Sequence, residues 1–269
     1  MPERGQIRVG VGGWTFEPWR GVFFPDDLKQ KDELAYASRK LTSIEVNGTY
    51  YGSQKPETFR KWANETPDGF VFTLKGSRFT TNRKVLAEAG ESIDRFYGQG
   101  VSELGAKLGP VLWQFAPGKK FDAADFEAFL ALLPRKLDGL ELRHCVEVRN
   151  HSFRDPAFAA LLRQYDVAVV FADHHTYPAF ADVTTNFVYA RLQTGSDDVE
   201  TAYEAPVLEA WAKRLITWAE GGRPVDLDCA DQAHAAPVKP REVFAYIIHE
   251  GKVRAPAGAM ALIELCKSL

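Results

Sequence analysis

A chain of 269 residues is long for one ordinary domain but normal for one α/β barrel. Its composition, 45% hydrophobic and 26% charged, is that of a globular protein with enough apolar mass for a large core. A net charge of −3 with no basic stripe gives no reason to expect nucleic acid or an anionic membrane as a partner. The three cysteines, Cys145, Cys229 and Cys266, form no Cys-x-x-Cys pair and suit neither a zinc motif nor a disulfide framework, which fits a reducing compartment. The opening Met1–Gln6 lacks the apolar run of a signal peptide, and no stretch approaches the ~20 apolar residues of a membrane span. The expectation is a soluble cytoplasmic protein.

Along the chain, strand and helix patterns alternate. Ile7–Trp14 reads as a first strand, followed by an aromatic loop with Trp19, Phe23 and Phe24 and a helix over about Asp27–Lys40. Ser43–Tyr50 reads as the second strand, and Pro56 opens the next helix as its first residue. Phe70–Gly76 is the third strand, followed by a glycine-weakened helix over about Ser92–Lys107. Pro110–Phe115 is the fourth, and Asp122 is placed to cap the helix carrying Phe126, Phe129 and Leu130. His144–Asn150 is the fifth, with Asp155-Pro156 as an N-cap and first-turn proline. Val167–His175 and Phe187–Gln193 supply strands six and seven. A long amphipathic helix through Trp211 and Trp218 then ends at Gly221-Gly222. Arg223–Lys239 reads as an irregular loop with at most a short element near Val225–Leu227. Val243–Glu250 is the eighth strand, and a helix closes the chain. Eight strands in alternation with helices predict a single (β/α)8 barrel over residues 1–269. A doubly wound open sheet is the alternative, but no Gly-x-Gly-x-x-Gly or P-loop opens a helix.

Strands covered on both faces should be apolar, yet the second halves of these are not. They carry Glu45 and Asn47, Lys75, Gln114, then Glu147, Arg149 and His151, then Asp173, Arg191, and His249. In a barrel these ends meet at one mouth, where buried charges must pair with one another or with a ligand. Glu45, Lys75, Glu147 and Asp173 are the candidates for catalysis. Trp14, Asn47, Tyr50, Gln114, Arg149, His151, Arg191 and His249 are the candidates for holding the substrate. The two arginines suit a carboxylate or phosphate, and the aromatic rings suit a flat group. A fully internal salt-bridge network is the competing reading of the same charges. No metal-ligand spacing is present, so no cofactor is expected, although Glu147, Asp173 and the histidines would suit a divalent ion if they converged.

Several segments resemble a known family. Val9–Trp14 with Trp19–Pro25, then Ser43–Tyr51, Phe70–Lys75, Leu108–Phe115 and Glu147–Phe153, are similar to successive motifs of the YecE-like family, domain of unknown function seventy-two. The resemblance implies a TIM barrel with a pocket but no particular reaction. Where the family often has a His-Gly pair after the seventh strand's arginine, this chain reads Gln193-Thr194-Gly195. Where it commonly has an Asn near His249, this chain reads Ile248-His249-Glu250-Gly251. Both differences fall at the pocket.

Three functions remain open at this level. The first is an enzyme, hydrolase-like by fold analogy, acting on a small polar or anionic substrate. The second is a metal-dependent phosphodiesterase acting on nucleic acid, and the third is a non-catalytic ligand-binding barrel.

Overall fold

The computed structural model describes residues 3–269; Met1 and Pro2, the first residues of the segment read for a signal peptide, lie outside it. Eight parallel strands close into a barrel: β1 (Ile7–Gly12), β2 (Ser43–Val46), β3 (Val71–Lys75), β4 (Leu108–Gln114), β5 (His144–Glu147), β6 (Ala168–Asp173), β7 (Phe187–Thr194) and β8 (Glu242–Glu250). Each strand pairs with its sequence neighbours, and β1 pairs with β8 to complete the ring. This is the TIM-barrel architecture.

The register fixes which side chains enter the cylinder. Gly10 lies beside Ser43 and Tyr246, Glu45 beside Thr73, Gln114 beside Glu147, and Arg191 beside Tyr246 and Ala172. Neighbouring Cα partners share a face, so one interior column runs right round the barrel. Toward the strand starts it is filled by Val71, Leu112, Cys145, Val170, Tyr189, Phe244 and Tyr246. Toward the strand ends it turns polar. A second apolar layer lies between the strands and the helices. There Trp211 and Trp218 of helix Ala205–Ala219 pack on Phe171 with ring centroids 5.7 and 5.8 Å apart.

Helix starts follow from local chemistry. Asp122 accepts from the Asp125 amide at 3.1 Å and Asp155 from the Ala157 amide at 2.8 Å, each satisfying a donor that the first turn leaves free. Helices Ala123–Leu132 and Pro156–Gln164 follow from these caps, and Pro56 is the first residue of Pro56–Glu65.

Several expected elements are shorter than read or are broken; the first strand ends at Gly12 and the sixth runs only Ala168–Asp173. The helix over Asp27–Lys40 is a 3-10 turn (Gln30–Asp32) and a five-residue helix (Glu33–Ala37). The Arg20 guanidinium holds the preceding chain by the Leu28 carbonyl, 2.7 Å away, and by Glu33, so this stretch wraps the aromatic loop instead of continuing as a helix. The second strand stops at Val46, and Gly48–Tyr51 form a helical turn tied by the Thr49 hydroxyl to the Lys75 carbonyl at 2.7 Å. The fifth stops at Glu147, because Asn150 caps a 3-10 turn (His151–Phe153). The helix over Ser92–Lys107 breaks at Gly98 and Gly100, where φ is +97°, into Gly90–Tyr97 and a 3-10 segment, Val101–Lys107. A small antiparallel ribbon, Lys136–Leu137 with Leu140–Glu141, was not expected. Arg223–Lys239 is irregular, with a turn near Val225–Leu227 and another at Gln232-Ala233. It is anchored by Asp182, which accepts from the amides of Ala230 and Asp231. No helix among the described residues is long and apolar enough to cross a membrane.

Candidate active site

The polar ends of β2, β3, β4, β5 and β7 meet beneath a cavity of about 880 Å³. Its floor is a network centred on Arg191. The guanidinium grips Glu45 through two bonds of 3.1 Å and donates to Glu147 on the other side. Arg149 donates to Glu147 at 2.5 Å and to the Gln114 side-chain oxygen at 2.7 Å. The Tyr189 hydroxyl donates to Glu45 at 2.8 Å and lies 3.0 Å from the Thr73 hydroxyl. Glu45 and Glu147 are fully buried.

Burial would raise the Glu147 pKa, but Arg191 and Arg149 outweigh it and hold the carboxyl down at about 2. Burial likewise opposes the Arg191 charge, and the Glu147 and Glu45 carboxylates overcome it and raise its pKa above the ordinary value. Both carboxylates are therefore committed as counter-ions. Neither lines the cavity, which corrects the expectation of a free acid or base there.

Lys75 is different. Its side chain is only 6% exposed and lines the cavity, with Nζ 4.3 Å from the centre of the Tyr50 ring. Among the described residues it has neither a carboxylate within 4.0 Å nor a hydrogen-bond partner. Burial, and then the nearby Arg191 charge, lower its pKa to about 8 against the pull of Glu45 and Glu147. With two carboxylates against two guanidiniums and one ammonium, the floor carries one uncompensated positive charge.

Trp14, Trp62, Tyr50 and Tyr51 form an aromatic side to the cavity, with Trp14 and Trp62 edge to face at 5.1 Å and Tyr50 and Tyr51 at 5.0 Å. Asn47, Gln114, Arg149, Arg191 and His249 complete the expected residues that line it. His249 has φ +76° at a register shift in β8, a strained backbone for a side chain other than glycine. Its ring meets His174, which stacks on Tyr177 at 3.8 Å.

Two expected residues lie elsewhere. Asp173 is next in register to Leu192, not to Arg191, so it points away from the interior column. It accepts from the Thr194 hydroxyl at 2.6 Å instead. His151 falls in the 3-10 turn beyond β5, is exposed, and has Nε2 3.1 Å from the Thr176 carbonyl. Among the described residues no three His, Cys, Asp or Glu side chains gather as a metal site.

Residues outside the expected set also line the cavity. Gln193, two positions beyond Arg191 on the same face, is 1% exposed, and its side-chain nitrogen has no hydrogen-bond partner. Strand alternation from Arg191 would have found it. Lys252 lines the rim with Nζ 4.0 Å from the centre of the Phe16 ring; it lies in the loop after β8, where no periodicity marks it.

Comparison with known proteins agrees with the barrel fold. A DUF72 family protein from Thermotoga maritima MSB8 superposes with a TM-score of 0.73 at 20% identity, covering 97% of this chain and 99% of that one. Another from Enterococcus faecalis V583 gives 0.71 at 17% identity, covering 98% and 99%. At these identities the likeness shows the shared barrel. In sequence, the UPF0759 protein YunF of Bacillus subtilis (strain 168) is 27% identical over 56% of this chain and 54% of its own length. The UPF0759 protein YecE of Escherichia coli (strain K12) is 26% identical over 51% and 48%. The chain thus matches about half the length of these two relatives. The family model described as Protein of unknown function DUF72 matches residues 8–268, nearly the whole barrel with its charged floor, and the chain belongs to that family.

Proposed function

We propose that the cavity binds a small anionic molecule with a flat or apolar portion and that the protein is an enzyme in which Lys75 exchanges the proton or makes the bond. The observation that carries this reading is the Lys75 amine, buried at the cavity floor without a counter-ion while both nearby carboxylates are held by arginines. An anion is what such a floor lacks, and a lysine with a lowered pKa is suited to acid–base or nucleophilic work. The aromatic side supports a flat group beside the anion. A hydrolase using Glu45 and Glu147 as an acid–base pair has less support, because neither reaches the cavity and Glu147 is held ionised far below neutral pH.

Thermal unfolding with phosphate, sulfate and simple mono- and dicarboxylates tests the binding. At least one should raise the melting temperature in proportion to the logarithm of its concentration, and Lys75→Met should abolish that rise while remaining folded. A rise that survives in Lys75→Met, or no rise with any of these anions, would overturn the reading.

A further inference from the structure

We infer that the substrate is a carboxylate-bearing aldehyde or ketone and that Lys75 attacks its carbonyl carbon to form an imine, with the Gln193 amide holding a substrate oxygen. This rests on the anion-site reading and names its chemistry. Among the residues lining the cavity no cysteine, serine, aspartate or glutamate is present, and the hydroxyls are those of Thr15, Tyr50 and Tyr51, so a covalent intermediate has few candidate nucleophiles. Lys252 and His249 stand at the rim, and Lys252 rests on the Phe16 ring. Lys75 alone combines depth, a nitrogen free of hydrogen bonds, and an adjoining positive charge that favours the neutral amine.

The Gln193 nitrogen is the second, independent observation. It is a buried donor without an acceptor, in a cavity wall where the two guanidiniums are already paired. Burying an amide donor unpaired is costly, and a ligand oxygen placed there removes the cost. An oxo acid offers both an oxygen to accept from Gln193 and a negative charge to balance the floor.

The step balances without a further reactant. The neutral amine's lone pair forms the C–N bond as the carbonyl π pair moves onto oxygen. That oxygen takes one proton from the nitrogen and one from solvent and leaves as water. The product is a protonated imine that keeps the single positive charge beside the substrate carboxylate.

Pyruvate with sodium cyanoborohydride, followed by peptide mapping, tests this on the whole chain. The expected result is a reduced pyruvate adduct confined to Lys75, forming faster as pH rises toward about 8. In Lys75→Arg, which keeps the charge, the adduct is absent. Lactate, which has the carboxylate but no carbonyl, reads binding alone through its thermal shift. No adduct at Lys75 while lactate still stabilises the protein overturns the imine and leaves the anion site standing. If neither pyruvate nor lactate has any effect, both readings fall for this class of acid. Gln193→Leu should raise the half-saturating pyruvate concentration about tenfold, the loss of one hydrogen bond to a charged group. An unchanged value removes Gln193 from the assignment.

Discussion

Keeping the Lys75 ammonium buried without a counter-ion weakens the fold. Its pKa is lower in the folded protein, about 8, than in the unfolded chain, so the unfolded state binds the proton more tightly. The penalty is complete below pH 8 and fades as pH rises toward the ordinary lysine value. Lys75→Met should therefore stabilise the protein by on the order of 3 kcal/mol at pH 6 and by almost nothing above pH ~10.5, as read by urea unfolding at both pH values. Glu147 works in the opposite sense. Its folded pKa is depressed to about 2, so its contribution is present above its unfolded value and is lost as pH falls through the folded one. Glu147→Gln strips a counter-ion from Arg191 and Arg149 and should cost about 3–5 kcal/mol at pH 7. The gap to the unsubstituted protein should narrow as pH falls from about 4.5 toward 2. The sequence made Glu45, Lys75, Gln114, Glu147 and Arg191 legible as a group, because alternation along a strand assigns faces without coordinates. It did not show that both carboxylates are committed to arginines, since pairing depends on which strands lie opposite one another. Asp173 was misplaced for a simpler reason: Val170 and Ala172 take the inward positions on β6, and the residue after them must point out.

Elements were readable where a single residue type decides them. The aspartates at 122 and 155 cap helices as their chemistry dictates, and Asp155→Ala should cost about 1 kcal/mol of stability in chemical unfolding with no change in pyruvate or phosphate binding. Elements were misread where a tertiary contact overrides a pattern. Nothing local announces that the Thr49 hydroxyl will reach the Lys75 carbonyl and end a strand that the tyrosines 50 and 51 would otherwise extend. The small ribbon was missed although its signal was present. Asp138-Gly139 occupies the turn with φ of 48° and 84°, the paired positive values that a tight two-residue hairpin requires and that this dipeptide favours.

At the scale of the molecule, closure of the barrel was legible from strand count and length, while the cross-links inside it were not. Arg191 on β7 reaches β2 through Glu45 and β5 through Glu147, so it acts as a strut across the lumen. Ser43 and Tyr246 tie β2 to β8 at 2.7 Å. Between these two strands the wall is uneven, for β1 presents only Gly10 and Gly12 to the polar half of the interior. A Cβ at Gly10 would meet the Ser43 carbonyl at 1.8 Å, so the side-chain tie of this strand lies at its start, where Arg8 donates to Glu242 of β8. The C-terminal half of β1 is therefore held by its backbone ladder alone. Slow opening of the cylinder should begin along it, and backbone deuterium uptake in native buffer should run ahead in Ile7–Gly12 and lag in Phe187–Thr194. Uniform uptake around the ring would show that the unbraced strand is no gate to the interior.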